Sequence, residues 1–174
     1  MVTLFAALLA ASNITVDPLK EIHAGKIRCA MPDLKHKTCI TMARYLPRAD
    51  GGFDVAVEGL TTDSGIAIHY QVPLVVRDGG LCLTLNSDDI AKASFSKAGV
   101  ALKGPALAAL REQERAFLTP LLGHQVCSRD MMDGELIVAR GYVDGERFPA
   151  LDKSVIWVEA KDGYTIGPMP GDAI

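Results

Sequence analysis

Apolar and polar residues alternate along much of the chain with the two-residue period of a β-strand. Phe53, Val55 and Val57 alternate with Asp54, Ala56 and Glu58, and Ile66, Ile68 and Tyr70 alternate with Ala67, His69 and Gln71, so each run buries one face. The runs 136–143 and 155–158 are apolar on both faces and read as central strands. Between such runs stand Asp50-Gly51, Asp78-Gly79, Asp133-Gly134, Asp144-Gly145 and Asp162-Gly163. Asp tolerates a positive φ and Gly adopts it freely, which suits the tight turns that join twisted antiparallel strands. The hairpin over 142–148 is the best defined, because a two-residue Asp-Gly loop sets its register.

A different period governs the middle of the chain. After Gly104 and Pro105, apolar residues at Leu107, Leu110, Phe117, Leu118, Leu121 and Leu122 follow the i, i+3, i+4 spacing of one buried helical stripe, with Arg111, Glu112, Glu114 and Arg115 toward water. Pro120 kinks this helix or restarts it with Thr119 as a cap, and Gly123 ends it. A further helical turn is expected after Ser87, ahead of Asp88 and Asp89. The order strands, helix, strands predicts an α+β fold: a single domain, mainly antiparallel β-sheet, with one principal covering helix.

The chain opens with Val2, Thr3, Leu4, Phe5, Ala6, Ala7, Leu8, Leu9, Ala10 and Ala11, an apolar run too short to span a bilayer and ending in small residues. It reads as a signal peptide over 1–12, cleaved behind Ser12, before a domain at 13–168 and a flexible tail at 169–174. Neither Ser12 nor Asn13 offers the cysteine that a lipid anchor needs. The four cysteines, Cys29, Cys39, Cys82 and Cys127, make the even count of a disulfide framework. Leader and cysteines together predict a periplasmic or secreted protein stapled by two disulfides, with pairing in sequence order favoured. By loop entropy a bridge over ten residues contributes roughly 2.7 kcal/mol and one over forty-five roughly 4 kcal/mol.

The net charge of −3 does not announce a nucleic-acid protein, yet it is unevenly spread. Lys20, Lys26, Arg28, Lys35, Lys37, Arg44 and Arg48 face only Glu21 and Asp33 over the segment 20–48, which leaves about −8 for the remainder. That segment is a candidate contact with an anionic envelope surface, although a solvated strand and loop with its charges outward is the favoured account.

No nucleophile elbow, zinc helix, P-loop, dinucleotide turn, calcium loop or C-x-x-C motif is present. The sharpest constellation is a repeated H-x-x-C, His36 to Cys39 and His124 to Cys127. Two imidazoles and two thiolates could close a structural zinc site, whereas in an oxidising compartment the cysteines pair instead, and no cofactor is then called for. Cys127 with His124 as base and Asp130 as orienter is a thin arrangement for a nucleophile, which oxidation would silence. His69 lies on the polar side of its strand, the paired acids Glu112, Glu114, Asp88 and Asp89 read as helix charges, and Trp157 reads as core.

Two functions follow. The first is a non-catalytic exported domain that binds a protein or small-molecule ligand, or has a structural part. The second is a small periplasmic enzyme, a hydrolase with a dispersed site near His69 or His124. A deep pocket holding a histidine beside a carboxylate separates the enzyme from the binder.

Overall fold

In this computed structural model residues 14–61 and 65–168 are described; the leader expected at 1–12 and the tail at 169–174 lie outside the described residues. Asp17 accepts from the Leu19 N–H at 3.0 Å and starts a short helix, α1 (Pro18–His23). Five strands then follow as consecutive hairpins: β1 (Ile27–Asp33), β2 (Thr38–Pro47), β3 (Phe53–Leu60), β4 (Ile66–Arg77) and β5 (Gly80–Thr84). Asp78 and Gly79 take φ of +51° and +71° between the last two, the doubly left-handed turn expected of Asp-Gly. An excursion carries α2 (Ser87–Lys92), β6 (Ser94–Lys97), β7 (Val100–Ala101) and α3 (Gly104–Leu118). Next come β8 (Gln125–Asp133), β9 (Leu136–Val143), β10 (Glu146–Arg147), β11 (Lys153–Val158) and β12 (Thr165–Ile166).

The expected open sheet under a covering helix is not what this chain builds. β1, β2, β3, β4, β5, β8, β9 and β11 pair in sequence order, each antiparallel to the next, and β11 returns to pair with β1. In that closing seam Ile27 faces Val158, Arg28 faces Trp157, Cys29 faces Ile156 and Ala30 faces Val155. The result is a closed eight-stranded antiparallel barrel with four extra strands, so the α+β assignment is wrong. Closure turns the inner face of the sheet toward its own interior, so no open sheet remains for a helix to lie across. The helix packs at one end of the ring instead: Leu107 and Leu110 meet Phe95 and Ile68, which shares the inner face of β4 with Tyr70 and Val72, and Leu118 reaches the main core. Phe117, expected in the buried stripe, is 72% exposed, and Arg111 turns inward to donate to the Ala93 carbonyl at 2.8 and 3.0 Å. At the helix end Gly123 has φ +79°, as its position beyond Pro120 suggests.

Inward and outward residues alternate along each strand of the ring, as a barrel requires. Phe53 and Val55 on β3, Val72 and Leu74 on β4, and Leu81 on β5 form the main core, and α1 inserts Ile22 among them, plugging the end where β1 begins. Along β8 the four-pair register with β5 stops at Ser128, and beyond it residues 14–16 line the strand through Val16 N–H to Asp130 O and Met132 N–H to Ile14 O, both 2.8 Å. On the outside, β12 lies parallel to β2, and Tyr164 and Ile166 cover Cys29, Cys39 and Met42.

The cysteines form two disulfides. Cys29 and Cys39 join β1 to β2 with Cα atoms 5.5 Å apart, and Cys82 and Cys127 face each other in register across β5 and β8 at 4.0 Å. The zinc set therefore does not assemble, since Cys39 and Cys127 belong to different bridges. His36 pairs with Asp33 at 2.5 Å and His124 with Asp144 at 2.6 Å, and among the described residues no cluster suits a metal ion.

Candidate functional site

Between the plug and the open end, the barrel encloses a cavity of about 160 Å³. Its wall is mostly apolar, with Val55, Val57, Leu74, Leu81, Leu83 and Val126 among the lining residues. The polar groups there are few: the hydroxyls of Thr41, Tyr45, Tyr70 and Ser128, the guanidinium of Arg28 and the ammonium of Lys153. At the rim, a turn at Pro149–Leu151 folds against the wall and sets Leu151 over the space. This approach depends on Gly141, because a Cβ there would sit 2.4 Å from the Leu151 Cβ and 3.0 Å from the Phe148 carbonyl. The Gly141 N–H donates to Asp152 at 3.0 Å, while Arg147 holds both the Gly141 carbonyl and the Asp152 carboxylate.

Charge inside the barrel is organised around Asp130, only 1% exposed. Its carboxylate accepts from Arg28 Nε at 3.3 Å and from an Arg28 terminal nitrogen at 2.5 Å, and Trp157 Nε1 donates to it at 3.1 Å. The sequence supplies these groups at inward positions of β1, β11 and β8, since Trp157 is Arg28's partner across the closing seam and Asp130 stands two strands beyond Trp157, across β9. Arg28 is thus neutralised in place, and a buried pair with fork geometry is held by hydrogen bonds on both sides. The Tyr45 ring packs on Trp157 with centroids 5.7 Å apart.

Lys153 is different. It borders the cavity near this cluster, and among the described residues no carboxylate or hydrogen-bond acceptor pairs with its ammonium. Burial pulls its pKa below the ordinary lysine range, and Arg28 pushes the same way against the weaker pull of Asp130.

Both cavity tyrosines are also perturbed. Burial pushes Tyr45 and Tyr70 up to about 12 from 10.0, and the nearby Glu114 carboxylate adds to the shift of Tyr70. A raised acid pKa means that the folded chain keeps protons which the unfolded chain has released, so stability falls as pH rises from 10 to about 12. In a phenolate absorbance titration of the folded protein, two of the four tyrosines should ionise only toward the upper end of that range. Ionisation of all four together near pH 10 would contradict their enclosure.

None of the catalytic candidates converges. Cys127 is oxidised, His124 faces Asp144, and Asp130 is inside the barrel with Arg28, so the imagined nucleophile, base and orienter occupy three places. His69 has more interesting neighbours, with Nε2 at 3.1 Å from Ser96 Oγ and Nδ1 at 3.8 Å from Glu58 Oε1. This trio stands on the outer wall rather than in the cavity, and the carboxylate is too far for the hydrogen bond that would orient an imidazole. Nor do the basic residues of 20–48 form one surface. Arg28 is internal, Lys26 pairs with Glu21 at 2.5 Å, Arg48 holds Asp50 and Asp54, and Lys37 donates to the Asp162 carbonyl at 3.0 Å. A second hollow of about 280 Å³ lies by the plugged end between residues 16–26 and the strands carrying Leu136 and Trp157; it is more open, and its Lys26 is already paired.

Sequence reasoning missed Arg28, Lys153, Tyr45 and Tyr70. Parity could not have marked the two cations: Arg28 alternates with Ile27, Cys29 and Met31 and so stands on the less apolar face of its strand, and Lys153 begins a run that is apolar on both faces. Comparison of the chain with family models, curated proteins and solved structures finds no significant match, so what this cavity takes is argued from its own residues.

Proposed function

We propose that this chain is a non-catalytic binding protein that holds one small, largely apolar molecule inside its barrel, and that it works in the periplasm or as a secreted protein. The observation that carries the reading is the cavity of about 160 Å³ inside the ring, with a mostly apolar wall and a few polar groups. Eight strands leave an interior that side chains can just fill or that can hold one small ligand, and here small residues at Ala30, Ala43 and Gly141 leave it partly empty. Native cores close their voids, because unfilled volume forfeits packing energy. A void of this size is comparable with the roughly 150 Å³ that accommodates benzene. Two disulfides suit an oxidising compartment and support export. The competing hydrolase reading lacks support where it needs it, since the cavity holds no histidine.

Trp157 is the only tryptophan and stands beside the cavity cluster, so its fluorescence reports occupancy. Titration of the oxidised full chain with small aromatic and aliphatic probes should change that emission and raise the melting temperature, by about 2.7 kcal/mol of stabilisation at a hundredfold excess over Kd. Ala43→Met, which extends a flexible apolar side chain into the void, should abolish both responses without unfolding the protein. Unchanged emission and melting temperature across such probes would end the proposal.

A further inference from the structure

We infer that the cavity takes a small monocarboxylate, and that the Lys153 ammonium beside the Arg28–Asp130 pair receives its carboxylate. This rests on the binding role proposed above and names the chemistry of the occupant. Arg28 and Lys153 are the only charged side chains that line the cavity among the described residues. Arg28 is already satisfied by the two oxygens of Asp130, which also accepts from Trp157. Two cations therefore share one anion inside the barrel, and the unmatched charge is on Lys153. Lys153 is half-buried at the wall of an apolar cavity with no anion on it among the described residues, which leaves its charge free for a ligand. A neutral ligand leaves the imbalance as it is. A carboxylate removes it and gains a charge-assisted hydrogen bond in a region of low dielectric.

The surroundings fix the rest of the ligand. Hydroxyls of Tyr45, Tyr70, Thr41 and Ser128 border the same space and can donate to the second carboxylate oxygen, with the two phenols held in their protonated, donating form. Away from them the wall is Val55, Leu74, Leu81 and Leu83, which offers nothing polar to the body of the molecule. With about 160 Å³ available, that body is a short alkyl chain or a single ring, on the order of ten non-hydrogen atoms with its carboxylate. Carboxylate binding should also return Lys153 toward its ordinary range, because an adjacent anion favours the charged form.

The test is calorimetric titration of the oxidised full chain with two matched pairs, benzoate against benzamide and hexanoate against hexanamide, at neutral pH. Shape is nearly constant within each pair and only the charge differs. We expect the acid of each pair to bind at least tenfold more tightly, about 1.4 kcal/mol. Lys153→Met keeps the apolar stem and removes the charge, so it should abolish the preference and raise the melting temperature of the unliganded protein. Equal binding of acid and amide would overturn the carboxylate and leave the binding role intact. A preference that survives Lys153→Met would overturn the assignment to that residue. Absence of binding by all four compounds would overturn both proposals.

Discussion

Asp130→Ala should lower the unfolding free energy by about 3–5 kcal/mol, measured by urea denaturation of the oxidised protein. The substitution removes the anion that Arg28 pairs with and strands two donors at once, the Arg28 guanidinium and the Trp157 indole N–H. The Arg28–Asp130 pair is enclosed, with the Arg28 side chain 10% exposed and that of Asp130 1%, so water cannot replace the partner that Arg28 loses. The exposed Glu112–Arg115 pair on α3 serves as the control: Glu112→Ala should cost no more than about 0.5 kcal/mol. Replacing the buried pair by apolar residues, Arg28→Met with Asp130→Leu, should recover most of the loss, because no uncompensated charge then remains. If Asp130→Ala alone cost less than 1 kcal/mol, roughly the worth of a single exposed hydrogen bond, the interior would have to be wet enough to solvate Arg28, and the argument for an unsatisfied Lys153 would weaken with it.

Local features of this fold were legible because they are decided within a few residues. Asp144 and Gly145 have φ of +50° and +85° in the two-residue hairpin turn that their side chains favour. Gly104 and Pro105 open the long helix, and a 3-10 turn at Thr119–Leu121 follows where Pro120 interrupts it. The short helix near Ser87 is preceded by Asn86, whose N–H donates to Asp89 at 2.8 Å, one residue earlier than a Ser87 cap would place it. Closure is another matter. It depends on residues 27–30 choosing 155–158 as partners, and a strand's pattern states which face is apolar without naming the strand beside it. The same runs of alternation serve an open sheet and a barrel, and the amphipathic segment over 104–118 then invites the mistaken inference that a helix must cover an exposed sheet face.

The site was hidden for a related reason. Arg28 was read with its basic neighbours as part of a charged surface segment, and Lys153 drew no notice beside the apolar run of β11. A cation at an inward position becomes informative only once an inside exists, and the inside is created by the long-range pairing. The histidines attracted attention as the usual carriers of chemistry, yet His36, His69 and His124 all settle on exposed or half-exposed ground with nearby carboxylate partners. Neither chemistry-bearing residue types nor parity along the strands could therefore locate the site before the pairing of the strands was known.

Removing the Cys82–Cys127 bridge, by Cys82→Ala with Cys127→Ala, should cost about 4 kcal/mol, against about 2.7 kcal/mol for Cys29→Ala with Cys39→Ala. The two bridges differ in the chain they close, with sequence separations of 45 and 10. They differ also in what they join. β1 and β2 are consecutive strands that share register from Arg28 opposite Ala43 to Asp33 opposite Thr38, so their pairing is local. β5 and β8 are joined through the excursion that carries α2, β6, β7 and α3, and only four residue pairs, from Leu81 with Ser128 to Thr84 with Gln125, hold the seam. The bridge sits within those four pairs and prepays the entropy of bringing distant strands together. Its loss should show as faster amide exchange over 81–84 and 125–128, and dithiothreitol should reproduce the effect in the native sequence. Because Leu81, Leu83, Val126 and Ser128 line the cavity on either side of this seam, ligand binding should weaken along with it. A loss no larger than that of the Cys29–Cys39 bridge would mean that packing of the excursion against the wall, through Leu118 and Leu122, already holds β5 to β8 in the unbridged chain.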